Sequence, residues 1–290
     1  MVNELVVTDD FKISIIVPTL NRVEYLSRAL DSVFNQTFKA SEIIVVDNGS
    51  SDGTLEFIKE KYPSVTLLEE RKRGVSAARN KGIISSKSDW VAFLDSDDAW
   101  DKKKLEVQKN ALLSNSTNYK LVHTEEVWFK NNIKINQMKK HQKFGGYIFE
   151  KCLPLCCISP SSVLIKKNIF NQVGYFDEDL PVCEDYDLWL KICSKEKVLF
   201  IDQKLTFKYG GHNDQLSKSH WGMDRFRIKS IENLVLNYDL KSYQKHLAIF
   251  TLIKKIKIII NGAYKRKNYS IINEYEKKLN YWEKLIIQLN

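Results

Sequence analysis

Three observations predict an α/β fold with a mainly parallel central sheet: short β-branched runs recur, each is followed by a turn and a helix-spaced segment, and polar residues stand just past several runs. In open sheets of this kind ligands sit beyond the carboxyl ends of the strands. From about residue 221 onward the pattern is helical, which predicts a helical C-terminal extension.

The elements come in order. Residues 13–17, Ile-Ser-Ile-Ile-Val, read as a buried strand stopped by Pro18. Asn21 with Glu24 matches a helix-opening box with Asn21 as the cap, and Tyr25, Leu26, Ala29, Leu30, Val33 and Phe34 recur at helical spacing. A second strand, residues 42–46, ends in the loop Asp47-Asn-Gly-Ser-Ser-Asp-Gly53, and Leu55, Phe57, Ile58 and Tyr62 predict a helix. Residues 65–68 predict a third strand, Gly74 precedes a helix over 76–84, and residues 90–94 predict a fourth strand ending at Asp95. Beyond Lys102 the pattern loosens: a helix over 105–113, a mixed stretch over 119–150, strands at 163–165 and 197–201, and a helix over 185–193 with Leu188, Trp189 and Ile192 on its buried face.

Composition bounds the function. The 290 residues are 43% hydrophobic and 28% charged, enough for a sizeable core. No run approaches the roughly 20 apolar residues of a membrane span, and residues 1–10 lack the basic start and apolar run of a signal peptide, so a cytoplasmic location is expected. Five cysteines without a CxxC pair fit a reduced compartment. Cys152, Cys156 and Cys157 read as small buried hydrophobes, with a zinc site as the alternative. The net charge of +9 is carried by the end of the chain: residues 241–290 hold 11 Lys or Arg and three Glu. The near-neutral first 240 residues argue against a nucleic-acid groove.

Several clusters could carry chemistry. Asp95-Ser96-Asp97-Asp98 puts three carboxylates in four residues at a strand end. The residues leave open a Mg²⁺ or Mn²⁺ site or an acidic turn whose Asp98 caps a helix. Asp47 after a β-branched strand could read a base or ribose, or could close an Asx turn. Arg79 could face a phosphate, or belong to a solvated charge run with Arg71, Lys72 and Arg73. Glu184-Asp185 either complements a helix dipole or supplies a general base, with Trp189 one turn on as an apolar face for a sugar ring. His212 follows Gly210-Gly211, where most lone histidines are structural.

Together these residues resemble the family 2 inverting glycosyltransferases of the GT-A fold, a Rossmann-like architecture. The matching stretches are Ile15-Ile-Val-Pro-Thr-Leu-Asn-Arg22, Ile43-Ile-Val-Val-Asp-Asn-Gly-Ser-Ser-Asp-Gly-Thr54, Gly74-Val-Ser-Ala-Ala-Arg-Asn80, Phe93-Leu-Asp-Ser-Asp-Asp98 and Glu184-Asp-Tyr-Asp-Leu-Trp-Leu190. The resemblance implies a GT-A domain over 1–217, its nucleotide-binding half about 1–100 and its acceptor half about 101–217, followed by a basic helical extension over 218–290. It implies a nucleotide-sugar donor, by family habit a UDP-sugar, held by Pro18, Thr19, Asn21, Asp47, Arg79, Asp95 and Ser96. Asp97 and His212 would bind Mn²⁺ or Mg²⁺, Asp185 would be the catalytic base, and Glu184 and Trp189 would bind a glycan or lipid-linked acceptor.

The tail has two readings. Phe250, Ile253, Ile256, Ile259 and Ile260 alternate with Lys254, Lys255 and Lys257, which fits either an amphipathic segment lying on an anionic membrane or a helical subdomain packing its isoleucines on the main body. Two rival functions are a sugar nucleotidyltransferase, which should carry a Gly-rich basic loop after the first strand, and a non-catalytic binding protein, which has no need of both Asp97 and Asp185.

Overall fold

The computed structural model of the chain describes residues 11–211 and 220–288. Strands β1 (Ile13–Thr19), β2 (Glu42–Asp47), β3 (Thr66–Glu69) and β4 (Trp90–Phe93) alternate with helices α1 (Val23–Phe34), α2 (Thr54–Lys61) and α3 (Val75–Ser85). β1 pairs in parallel with β2 and β4, and β2 with β3. β1 and β4 are buried along their whole length, so they read as continuous apolar runs. β1 continues past its expected stop, with Pro18 opposite Val46 and Thr19 opposite Asp47. Its ladder with β4 has already ended at Ile16 opposite Phe93, a place where a missing N–H is tolerated.

Helix α1 is not capped by Asn21. The Asn21 backbone is left-handed (φ 51°), its N–H donates to Ser50 Oγ and its Oδ1 accepts the Ser51 N–H. The side chain thus joins the β1 and β2 loops, while Asp52 Oδ2 accepts the Val23 N–H at the helix start.

The second half supplies β5 (Ala99–Trp100), α4 (Lys104–Leu113), β6 (Leu121–Lys130), β7 (Ile133–Ile135), α5 (Phe149–Cys152), β8 (Val163–Lys166), α6 (Phe170–Val173), α7 (Glu184–Lys195) and β9 (Val198–Gly210). The sheet order is β3-β2-β1-β4-β8-β6-β9-β5, with β7 paired to β6 off this path. β8 is antiparallel to both β4 and β6, and β9 is parallel to β6. The strands β1 to β4, β6 and β9 therefore all point the same way, and their carboxyl ends share one edge. β6 is a regular strand within the stretch expected to be mixed, and β9 runs well past the expected 197–201, because a bulge around Glu125 breaks their alternation.

Helices α8 (Asp224–Asn237), α9 (Ser242–Lys265) and α10 (Tyr269–Gln288) complete the described chain. Ile253, Ile256, Ile259 and Ile260 are buried in the same core as Ile16, Phe93 and Leu188. Lys255 is buried too, bonded to Asp224 and to the Pro154 carbonyl at 2.8 Å. The apolar stripe that could have lain on a membrane is thus committed to the core, and Phe250 and Ile258 are its exposed remainder. No helix among the described residues is long and apolar enough to cross a membrane. Cys152 and Cys157 are buried as small apolar side chains, while Cys156 is half-buried with its thiol against the Ile158 carbonyl and Asp185.

Glu126 on β6 anchors the next segment. Its carboxylate pairs with buried Lys143 at 3.1 Å and accepts from Ser159 Oγ and Trp128 Nε1. Burial works to raise its pKa, but Lys143 and Lys208 overcome this and bring it down to about 2. A carboxyl depressed below its ordinary range adds stability that is complete above the unfolded value and lost as pH falls toward the folded one. Glu126→Gln should therefore lower stability at pH 7 by about 3 kcal/mol, by leaving Lys143 buried and unpaired. It should also flatten the stability loss that urea titrations read between about pH 4.5 and 2.

Candidate active site

The first part of the site is the pair Thr19 and Asp47, adjacent in register at the ends of β1 and β2. Asp47 Oδ2 accepts the N–H groups of Gly49 and Ser50, which makes the Asx turn. Its Oδ1 is buried without a partner among the described residues, and so is Thr19 Oγ1. Buried oxygens left unpaired cost stability unless a ligand meets them. Ser76 Oγ, at the start of α3, is a third such atom. Pro18 is buried beside Thr19, and Asn21 is exposed above the loop.

The second part is the acidic turn, in which the three aspartates have different partners. Asp98 is not a helix cap: its Oδ2 accepts from Ser161 Oγ at 2.7 Å and Lys208 Nζ at 2.8 Å, and its Oδ1 accepts the Tyr209 N–H. It ties β9 to the turn. Burial pushes it up to about 7 against the pull of Lys208. Asp95 is held below the usual carboxylate range: burial works the other way, but Arg79 and Lys208 outweigh it. Asp97 is raised, by burial first and by the charge of Asp95 second. Its carboxylate has no ion-pair partner among the described residues, while its carbonyl accepts from Arg28. Ser96 is buried between them.

The third part is Arg79. Its guanidinium is buried and forks, with Nη2 on Asp95 and Nη1 on Glu184, both at 2.7 Å. Phe176 lies beneath it, 5.2 Å from ring centre to guanidinium carbon. The next residue, Asn80, exchanges hydrogen bonds with the Phe176 backbone and donates to Glu178. Neither residue is part of a solvated charge run, and the charge of Arg79 is already matched by two carboxylates.

At the start of α7 the roles divide. Glu184 is only 6% exposed, its pKa pushed up to about 7 by burial and by Asp185, against Arg79. Its Oε1 is the far end of the Arg79 fork. Trp189 is 1% exposed and packs edge-on against Phe176, so it presents no face to an acceptor. The helix is buried nearly all round, which places Trp189 in the core under the fork. Asp185 stays partly exposed, its Oδ1 taking the Tyr186 N–H and its Oδ2 the Cys156 thiol at 3.3 Å. His212 lies outside the described residues.

Lys208, Arg28 and Ser161 were not singled out from the sequence. Each sits inside an ordinary strand, helix or turn, and only sheet order brings them to the acidic turn. Arg28 stacks on Tyr209 at 3.6 Å while holding the Asp97 carbonyl, so α1, the turn and β9 are clamped together.

A mainly parallel sheet with unpaired oxygens at β1 and β2, an acidic turn after β4 and a carboxylate pair on a later helix defines a GT-A-like transferase fold. Residues 14–174 match the family described as glycosyl transferase family 2, and the chain belongs to that family. It is 30% identical over 277 residues to a Rickettsia felis protein described as an uncharacterized glycosyltransferase, covering 92% of this chain and 44% of that one. It is 31% identical over 198 residues to the UDP-Glc:alpha-D-GlcNAc-diphosphoundecaprenol beta-1,3-glucosyltransferase WfgD of Escherichia coli, covering 67% of this chain and 74% of WfgD. Among solved structures, S. aureus TarS 1-349 in complex with UDP-GlcNAc superposes with a TM-score of 0.72 at 19% identity, over 96% of this chain and 81% of that one. The mannosyltransferase PcManGT from Pyrobaculum calidifontis, in complex with GDP-Man and Mn²⁺, gives 0.58 at 16% identity, over 95% and 85%. The chain spans less than half the length of the first two Rickettsia relatives it matches.

Arg79→Met should leave Glu184 buried beside Asp185 with no counter-charge, at a cost of about 3–5 kcal/mol in urea unfolding. Arg79→Lys should recover less than half of that, because one ammonium cannot span two carboxylates as a planar fork does. Full recovery by lysine would show that charge alone matters.

Proposed function

We propose that the chain transfers a sugar from a nucleotide-sugar donor, of the uridine type, to a hydroxyl of a glycan or lipid-linked saccharide in surface-polysaccharide assembly. The observation that supports this reading is the Arg79 fork, which ties the acidic turn to Glu184, the residue before Asp185 at the start of α7. The names of WfgD and of the TarS complex support a uridine donor, and that of WfgD supports a lipid-linked acceptor.

The donor's base and ribose would meet Asp47 Oδ1 and Thr19 Oγ1, two buried oxygens without partners among the described residues. Asp185 accepts the proton of the acceptor hydroxyl as that oxygen attacks the anomeric carbon. The bond to the diphosphate oxygen breaks on the opposite side, the nucleoside diphosphate leaves, and the configuration inverts. The Asp97 carboxylate, without an ion-pair partner among the described residues, fits a hard divalent cation, which commonly takes one or two carboxylates and completes its shell with phosphate oxygens and water. Mg²⁺ or Mn²⁺ held there would offset the charge that develops on the leaving diphosphate. Arg79 acts as a positioning residue, bonded to Asp95 and Glu184, so that its charge is already matched by two carboxylates. With a nucleotide-sugar donor, the reaction belongs on the cytoplasmic side of the membrane.

Asp97→Ala should abolish divalent-metal-dependent donor hydrolysis and transfer, while the fold melts as before. Asp185→Asn should keep the thermal shift given by the nucleotide sugar and lower kcat by about 10²–10⁴. Undiminished transfer in the Asp185 variant would remove it as the base, and undiminished metal response in the Asp97 variant would remove the cation site.

A further inference from the structure

β6 ends at the same sheet edge as β1, β2 and β4, and it runs as far as Lys130, opposite Gly210 at the end of β9. Trp128 is opposite Lys208, the lysine bonded to Asp98, so the segment beyond Trp128 projects from the site's own edge. There the chain turns through Asn131 and Asn132, both left-handed (φ 51° and 63°), and returns as β7. This two-residue turn is the usual hairpin geometry. β7 pairs with β6 alone and is exposed along its length.

The hairpin presents an unusual mixture to solvent. Ile133 is 70% exposed, Met138 59% and Ile135 38%. Lys130, Lys134, Lys139 and Lys140 are exposed around them. Residues 127–149 contain no Asp or Glu. At the base of the hairpin, Glu125 and Glu126 are engaged by Gln137 and Lys143. Apolar tips ringed by lysines that make no ion pair among the described residues fit a surface that is both anionic and apolar a few ångströms deeper. A second copy of this chain would bring the same lysines against these, and a purely polar anionic partner would leave the isoleucines and Met138 unmatched.

We infer that the β6–β7 hairpin docks the catalytic edge of the protein on an anionic lipid bilayer. The lysines meet phospholipid headgroups, and Ile133, Ile135 and Met138 enter the interface. Docking there, and not through α9, brings the acidic turn to a membrane-borne acceptor. The purpose rests on the proposed lipid-linked acceptor, but the docking itself does not.

The test is co-flotation of the full chain with vesicles of phosphatidylcholine, with and without phosphatidylglycerol. Flotation with the anionic vesicles and not with the neutral ones is expected. The triple variant Lys134→Gln, Lys139→Gln, Lys140→Gln and the double variant Ile133→Ser, Met138→Ser should each lower it at least about tenfold. Phe250→Ser with Lys254→Gln and Lys257→Gln, on α9, should leave it unchanged. Donor hydrolysis, measured in parallel, should persist in the hairpin variants, which separates failed docking from failed chemistry. The inference is overturned if the wild-type chain does not float, if it floats equally with neutral vesicles, or if only the α9 variant loses binding. It is also overturned if sedimentation shows a dimer that the Ile133/Met138 variant dissolves.

Discussion

The site depends on one buried guanidinium. Arg79 leaves α3 and joins two carboxylates from distant parts of the chain, Asp95 after β4 and Glu184 at the start of α7. Burying a charge costs several kcal/mol unless it is paired, and two unpaired carboxylates here would cost more still. The three groups are therefore stable only together, and that mutual need fixes the start of α7 against the acidic turn. Phe176, Phe93 and Trp189 form the aromatic floor under the fork, and Asn80 locks the segment that leads into α7. The apolar residues of this region hold an electrostatic part in place.

The acidic turn shows the same logic at shorter range. Two like charges about 4 Å apart repel by about 4 kcal/mol at the effective dielectric of a protein surface. The fold answers at two of the three positions: Arg79 and Lys208 hold Asp95, and Lys208, Ser161 and a backbone N–H hold Asp98. Among the described residues Asp97 is left with its carboxylate unpaired, its main chain fixed by Arg28 and its pKa raised. The turn is thus one open carboxylate on a scaffold of two satisfied ones.

The first hundred residues were legible because their code is local. Strand, turn and helix each occupy a few consecutive residues, and β1 to β4 with α1 to α3 fall where periodicity puts them. The misreadings have non-local causes. Asn21 has the chemistry of a cap, but its backbone is left-handed and its side chain serves a neighbouring loop. Trp189 stands one turn from Asp185 as an acceptor contact would, yet α7 is buried on nearly every side and the ring is turned into the core. Arg79 sits close to a run of solvent-facing cations that differ from it only in what the tertiary fold places beside them. Lys208 gave no signal at all, since its importance comes from sheet order, in which the antiparallel β8 leaves β6 and β9 running toward the same edge as β1 to β4.

Net charge was the least reliable guide to a surface. The last 50 residues carry an excess of eight positive charges, but part of it is answered inside the helical layer. Lys255 is buried on Asp224, Lys257 pairs with Glu283 and Lys278 with Glu232, while the isoleucines between them fill the core. The hairpin at β6 and β7 has fewer cations, yet no acid is interspersed among them, its apolar residues face outward, and it stands at the sheet edge that bears Asp98 and Lys208. A charged surface acts on a partner through what the fold leaves uncompensated and through where it points. By both measures the hairpin, and not the basic tail, is the surface best placed to serve the site.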